Sequence, residues 1–467
     1  MPTVTPRPPA PGPSPAVRTR TARPAAPFAL NASVLATFLA ASSAPTPLYP
    51  HYQDAWHLSA LTVTVVFSAY SLTLLLALLT TGALSDHLGR RPVLVGALAL
   101  EAVSMLLLAS ADGAGALIAA RVVQGAATGA ATGAAGAALL DLADPRRPGR
   151  SALTNSIAPV AGMAAGVLAS TFLIRLAPAP AVTVYAVLAV LFAAQAVAVT
   201  FTPETARSRP GALRSLHPHL AVPAPARRAL LVAGTGVVAV WALGGFYSSL
   251  GPALVRLVAP GAPQEAGGMV FFTLTAAATV TVWALRRAAP RAVAAGGSLA
   301  VLPAGALTLS ALHGAGLPAL YGGAALAGTA FGAVSQGALR MTLASLDEQD
   351  RAATLAAYYV LSYLSMSLPA IAAGAATGHY GLRTTAHAYA LTAALLAVAA
   401  LAALGVSRSG PAPRPPEGTA RTGTPRLAPA HPTAPRTPEP RTAAAPAPAA
   451  HAPAPPHTDT ARTCAHT

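Results

Sequence analysis

The chain has 467 residues, 54% of them hydrophobic and only 9% charged, where soluble domains carry about a quarter charged residues. With a mean hydropathy of +0.54, that composition excludes a water-soluble globular protein and places the bulk of the chain in lipid. The net charge of +16 does not indicate nucleic acid, because the arginines punctuate apolar stretches and form no folded basic face.

Residues 1–27 are rich in Pro, Ala, Thr and Arg, with no hydrophobic h-region before Pro27. They predict a disordered cytoplasmic lead, not a cleavable signal. Twelve apolar spans follow, at 28–49, 59–81, 92–111, 114–140, 151–174, 180–201, 229–251, 266–286, 292–312, 316–340, 352–377 and 385–406. The longest polar interruption, 203–228, divides them into bundles of six over 28–202 and 229–406. Residues 407–467 form an Ala/Pro/Thr tail with too little apolar surface to fold.

Arginine sets the expected orientation. Loops on one side hold Arg90, Arg91, Arg146, Arg147, Arg150, Arg207, Arg209, Arg214, Arg227, Arg228, Arg286, Arg287, Arg291 and Arg351. The other side holds only Arg175, Arg256 and Arg383. By the positive-inside bias both termini are cytoplasmic, as an even number of spans requires.

Between the second and third spans stands Gly82-Ala-Leu-Ser-Asp86-His-Leu-Gly89-Arg90-Arg91-Pro92. An aspartate at a helix end can pair with arginine and accept N–H bonds from a facing helix N-terminus, while the glycines permit a tight turn. The bland alternative is a positive loop with an incidental aspartate. The stretch resembles the G-x-L-x-D-r-x-G-r-r signature of the major facilitator superfamily. That resemblance, over about residues 28–406, implies an all-α integral membrane fold of twelve transmembrane helices in two six-helix bundles. It also implies alternating access about a midplane site, with Gly82, Asp86, Gly89, Arg90 and Arg91 latching the halves in the outward-open state.

Glu101 is the one carboxylate well inside a span, and Arg121 in the fourth span sits at similar depth. An arginine in a membrane helix costs about 2.5–3.5 kcal/mol even on the lenient insertion scale, so it needs a partner or a cavity. Two readings stand: a structural ion pair between the third and fourth spans, or a proton-carrying glutamate. Arg121-Val-Val-Gln124-Gly125 is similar to the superfamily's R-x-x-q-G signature, which implies a part in proton movement for Arg121. Asn155-Ser156-Ile-Ala158-Pro159-Val-Ala-Gly162 resembles a degenerate G-P-x-x-G-G signature of antiporter branches. There Pro159 and Gly162 mark a helix-5 hinge, or ordinary close packing.

The halves echo each other weakly: Gly125-x3-Gly129, Asp144 and Arg150 against Gly328-x3-Gly332, Asp347 and Arg351. Among polar and aromatic residues within spans, Asn31, Gln124, Asn155, Trp241, Phe246, Tyr247 and Gln336 are the cavity candidates. Tyr70, Tyr358 and Tyr359 are others, and packing is the alternative for each.

All 30 basic residues are arginine, so no Walker A lysine exists and the chain is not its own ATPase. The single Cys464 allows no cysteine metal site, and no metal or cofactor is expected. With no intramembrane His cluster, paired carboxylates or G-x-S-x-G, an enzyme is not expected. The expected function is proton-coupled efflux of a small, fairly apolar molecule by a plasma-membrane monomer. The alternatives are a sugar or metabolite facilitator or symporter, or a non-transporting receptor or scaffold on the same fold.

Overall fold

The computed structural model describes residues 25–147, 149–216, 224–344, 346 and 348–406. Residues 1–24 of the expected lead, 217–223 of the central loop, Asp347 of the internal echo and the 407–467 tail lie outside the described residues. All described residues fall in one compact unit, and none among them forms a strand. Hydrocarbon offers no water to backbone N–H and C=O groups, so so apolar a chain closes its hydrogen bonds within helices.

The first half holds α1 (Ala25–Ser43), α2 (Tyr49–Trp56), α3 (Ala60–Thr81), α4 (Leu84–Leu88), α5 (Arg90–Ala109), α6 (Ala114–Asp141), α7 (Gly149–Leu176) and α8 (Pro180–Thr200). The second holds α9 (Ala224–Val258), α10 (Glu265–Ala284), α11 (Pro290–Ser310), α12 (Gly316–Leu343) and α13 (Glu348–Val406). Nine stretches among the described residues are long and apolar enough to cross a membrane. Two of these are broken. Pro290–Leu343 turns at Gly314 (φ 108°), and Ala353–Val406 turns at Gly381 (φ 78°), where a Cβ would meet the carbonyl and glycine does not. Helix α6 is not among the nine, because Arg121, Gln124 and its glycines dilute its hydropathy. It packs among α1, α3 and α5.

The edges differ from the sequence reading chiefly in the first span and at both ends of α9, which runs on to Val258, seven residues past the expected 251. The first span stops at Ser43, and Pro45 and Pro47 set a 3-10 turn before α2, since proline cannot continue the ladder. Helix α9 begins at Ala224, five residues inside the expected central loop, with Pro225 in its first turn, where proline's missing N–H costs nothing.

Small residues set the close helix contacts. Gly125 and Gly129 of α6 lie on the backbone of α3 at Tyr70, Leu74 and Leu78. Gly328 and Gly332 of α12 lie in the same way on α10 at Leu274 and Ala278, so the echoed glycines make equivalent contacts in the two halves. Gly162 and Gly166 of α7 lie on the carbonyls of Ala36 and Ala40 in α1. That is close packing at the site where the sequence pattern also allowed a hinge.

Buried apolar residues form two clusters. One runs from Phe28 to Val199 and takes in Ala370; the other runs from Ala233 to Ala397 and takes in Val167. The halves meet where α3 packs on α13 and α7 on α10.

Candidate functional site

The first half encloses a polar chain. Glu101 of α5 and Arg121, Gln124 and Thr128 of α6 are all 0% exposed. Gln124 and Thr128 follow Arg121 at helical spacing and so share its face. Arg121 Nη1 donates to Gln124 Oε1 at 2.5 Å and to the Ser42 carbonyl of α1 at 3.1 Å. Gln124 Nε2 donates to Glu101 Oε1 at 3.2 Å, and the Thr128 hydroxyl lies 3.5 Å from Glu101 Oε2. The Tyr70 ring of α3 covers the guanidinium, its centre 4.3 Å from Cζ. The direct ion pair weighed from the sequence is therefore not formed. Gln124 stands between the two charges, accepting from one and donating to the other. Nε and Nη2 of Arg121 have no hydrogen-bond partner among the described residues.

At the loop between α3 and α5, Asp86 forms an ion pair with Arg90, which also reaches Asp141 Oδ2 at 3.3 Å and donates to Ser85 Oγ at 2.7 Å. Gly89 (φ 102°) makes the turn into α5. The carboxylate that takes a helix N-terminus is not Asp86 but Glu204. It accepts from the backbone N–H of Arg90 at 2.8 Å and Arg91 at 3.0 Å, and from those of Thr205 and Ala206. Partial burial pushes the Glu204 carboxyl up, but these four N–H donors outweigh it and hold it below the usual carboxylate range. Arg91 donates instead to the carbonyls of Thr200 and Thr202. Among the described residues, the Asp86 loop bonds the first half and Glu204, Arg209 and Pro210 of the central loop, and no hydrogen bond or ion pair joins it to 229–406.

The opposite end is sealed across the halves. Ser71 Oγ of α3 lies 2.6 Å from Ser367 Oγ of α13, and Ser68 Oγ donates to the Ser367 carbonyl at 3.2 Å. Gly374 rests on Ala60, Leu61 and Thr64, and Gly268 on Thr171 and Pro47. Arg256 donates twice to Asp54, both bonds 2.9 Å, and Arg175 lies 3.8 Å from Glu265.

The cavity candidates separate. Trp241 joins Phe331 and Tyr363, each at a ring-centre distance of 5.2 Å. Phe246 instead stacks on Tyr389 at 4.5 Å, and Tyr247 bonds Thr308 at 2.5 Å. These two belong to an apolar crevice between α9, α11 and α13 that also includes Leu243 and Ala386. Asn31 donates to the Pro27 carbonyl of its own helix, whereas Asn155 donates to Gly136 of α6 and Gln336 to Val282 of α10; the last two tie helices together. The sequence reading missed Glu204, Asp54, Arg256, the three serines of the seal, Phe331 and Tyr363. Only Glu204 has a local cue, a carboxylate after proline just beyond a span end.

A family model described as the Major Facilitator Superfamily matches residues 32–313. The chain belongs to that superfamily. Among solved structures it is similar to a bacterial homologue of the human lysosomal transporter Spinster, in an inward-facing and unoccupied conformation. That match has a TM-score of 0.64 at 12% identity and covers 83% of this chain and 98% of that one. The nucleoside transporter NupG matches with a TM-score of 0.64 at 14% identity, over 81% and 99% of the two chains. The human organic anion transporter MFSD10 matches with a TM-score of 0.59 at 18% identity, over 80% and 99%. At such identities the likeness shows the fold alone. No curated protein matches the chain. The superfamily member is a multi-pass membrane transporter for a small molecule.

Proposed function

We propose that the chain is a proton-coupled exporter of a small, largely apolar molecule, working as a plasma-membrane monomer by alternating access between 28–202 and 229–406. Twelve crossings put both termini and the Asp86 loop in the cytoplasm, by the arginine asymmetry. The sealed Asp54 end then faces outward. Reporter fusions after Arg408 and within 203–228 should both read cytoplasm; an external signal from either contradicts this topology.

The observation that carries the coupling is the buried Glu101–Gln124–Arg121 chain. A carboxylate held away from its cation by an amide can take and give up a proton without a buried ion pair being torn open. Protonation leaves Arg121 an uncompensated charge against Ser42 of α1 and Tyr70 of α3, two helices of the moving half. Gly82, Asp86, Gly89, Arg90 and Arg91 serve as the latch that engages the second half when the outer end opens. Export, in preference to uptake, rests on the resemblance around Pro159.

A second reading is a fixed polar brace, favoured by Gln124 satisfying both charged neighbours at once. Flux into proteoliposomes under an imposed pH gradient separates the two. Gradient-driven movement lost in Glu101→Gln supports coupling; undiminished movement supports the brace.

A further inference from the structure

We propose that the space between the halves takes flat aromatic molecules that carry no positive charge, their rings stacked among Trp241, Phe331, Tyr359 and Tyr363. This rests on the alternating-access reading and adds the substrate class to it.

One face of α13 carries Tyr359, Tyr363, Ser367, Ala370 and Gly374 at helical spacing. Its outer members meet the first half: Ser367 bonds Ser71, and Gly374 lies on Ala60 and Leu61. The face continues past that seal with Tyr363 and then Tyr359, both half-buried. These two rings therefore face the first half just beneath the closed seam. Tyr70 of α3 directly precedes Ser71, which Ser367 of this same α13 face meets. Trp241 of α9 and Phe331 of α12, also half-buried, converge on the same place. Trp241 is tilted 50° to Phe331 and 68° to Tyr363, and Tyr359 lies 6.2 Å from Tyr363. Trp241 and Tyr363 meet edge to face and the other two pairs are tilted, so none of the three is stacked and ring faces are offered to a further flat molecule.

Charge decides which flat molecule. From Ala266 to Leu346 and from Arg351 to Val406 the sequence has no Asp or Glu. In the first half Glu101 is enclosed by Gln124 and Thr128, while Arg121 supplies fixed positive charge behind Tyr70. A cation entering here loses hydration and meets no carboxylate. Its attraction to ring faces is smaller than that loss. A neutral ring has no such penalty, and an anion gains from the field of Arg121 once Glu101 is protonated.

Calorimetric titration of the purified full-length protein tests this with four probes of one size: naphthoate, naphthamide, naphthylmethylammonium and saturated decalin carboxylate. Naphthoate and naphthamide should bind about ten-fold or more tighter than the ammonium probe. Naphthoate should bind at least about three-fold tighter than the saturated acid. Tyr363→Leu and Trp241→Leu should each weaken naphthoate several-fold, while Tyr363→Phe keeps the ring and the affinity. Equal or tighter binding of the ammonium probe, parity with the saturated acid, or no binding of either naphthalene probe overturns the proposal, whatever the variants do. Exchange of labelled probes across proteoliposomes separates the two claims. Exchange of the ammonium probe alone keeps transport and overturns the class. Naphthoate binding without exchange keeps the class and counts against alternating access.

Discussion

The Tyr70 ring lies 4.3 Å from the Arg121 guanidinium carbon, and the next residue of α3, Ser71, is bonded across the seal to Ser367 at 2.6 Å. Two consecutive residues thus point one into the buried charge network and one into the seam between the halves. A helix is stiff over one turn, so a shift that Arg121 imposes on Tyr70 is felt at Ser71. That gives the network a mechanical route to the closed end without any long pathway.

The ionic part of the seal should be adjustable. Asp54 and Arg256 have side chains 67% and 43% exposed, so their pairing is worth about 0–1 kcal/mol, enough to move a two-state equilibrium by at most about five-fold. In a Cys464→Ser background, Asp54→Asn should raise the thiol-labelling rate of Ala370→Cys at the seam by up to that factor. Exchanging the charges, Asp54→Arg with Arg256→Asp, should return it. An unchanged rate in Asp54→Asn would show that the pair is ornamental.

Glu204 should set an acid limit on stability. Its carboxyl is held below the usual range, so the charged form is favoured in the folded state. That contribution is present above the unfolded-state value and is lost as pH falls through the lower folded value. Glu204→Ala removes the cap on α5 at a cost of about 0.5–1 kcal/mol. The melting temperature of the variant should fall less steeply with acid than that of the native chain. Parallel curves would assign the acid sensitivity elsewhere.

Close helix contacts give a stability contrast. A Cβ at Gly328 would run into the Leu274 carbonyl, whereas one at Gly96 meets nothing within 4 Å. Gly328→Val should destabilise by about 1–3 kcal/mol through overpacking, and Gly96→Ala should be neutral or slightly stabilising. Thermal unfolding in detergent compares the two directly.

Much of this architecture was legible because hydrocarbon permits few solutions. Long apolar runs between arginine-bearing loops located the helices to within a few residues, except where Pro45 and Pro47 cut the first span short and where α9 outruns its expected span at both ends. The polar chain was legible in part: rise per residue put Glu101 and Arg121 at one depth. Which side chain would come between them depends on how α5 and α6 are rotated, and periodicity does not carry that. The seal was not legible. Ser71 and Ser367 are ordinary helix serines 296 positions apart, and Asp54 with Arg256 reads as loop charge until the halves are placed together. Phe246 and Tyr247 share a helix with Trp241, yet they turn into the crevice with Tyr389, because rotation about α9 separates them from the central rings.

The coupling between Glu101 and the seam is tested most directly by labelling Ala370→Cys in proteoliposomes across the pH range in which the protein stays folded. Rates are divided by those of the same cysteine in a Glu101→Gln chain, which cancels the thiol's own titration. Protonation of Glu101 leaves Arg121 uncompensated beneath Tyr70, so the ratio should change with pH along a single titration. A ratio that stays constant across that range would contradict the account and leave Glu101, Gln124 and Arg121 as a fixed brace.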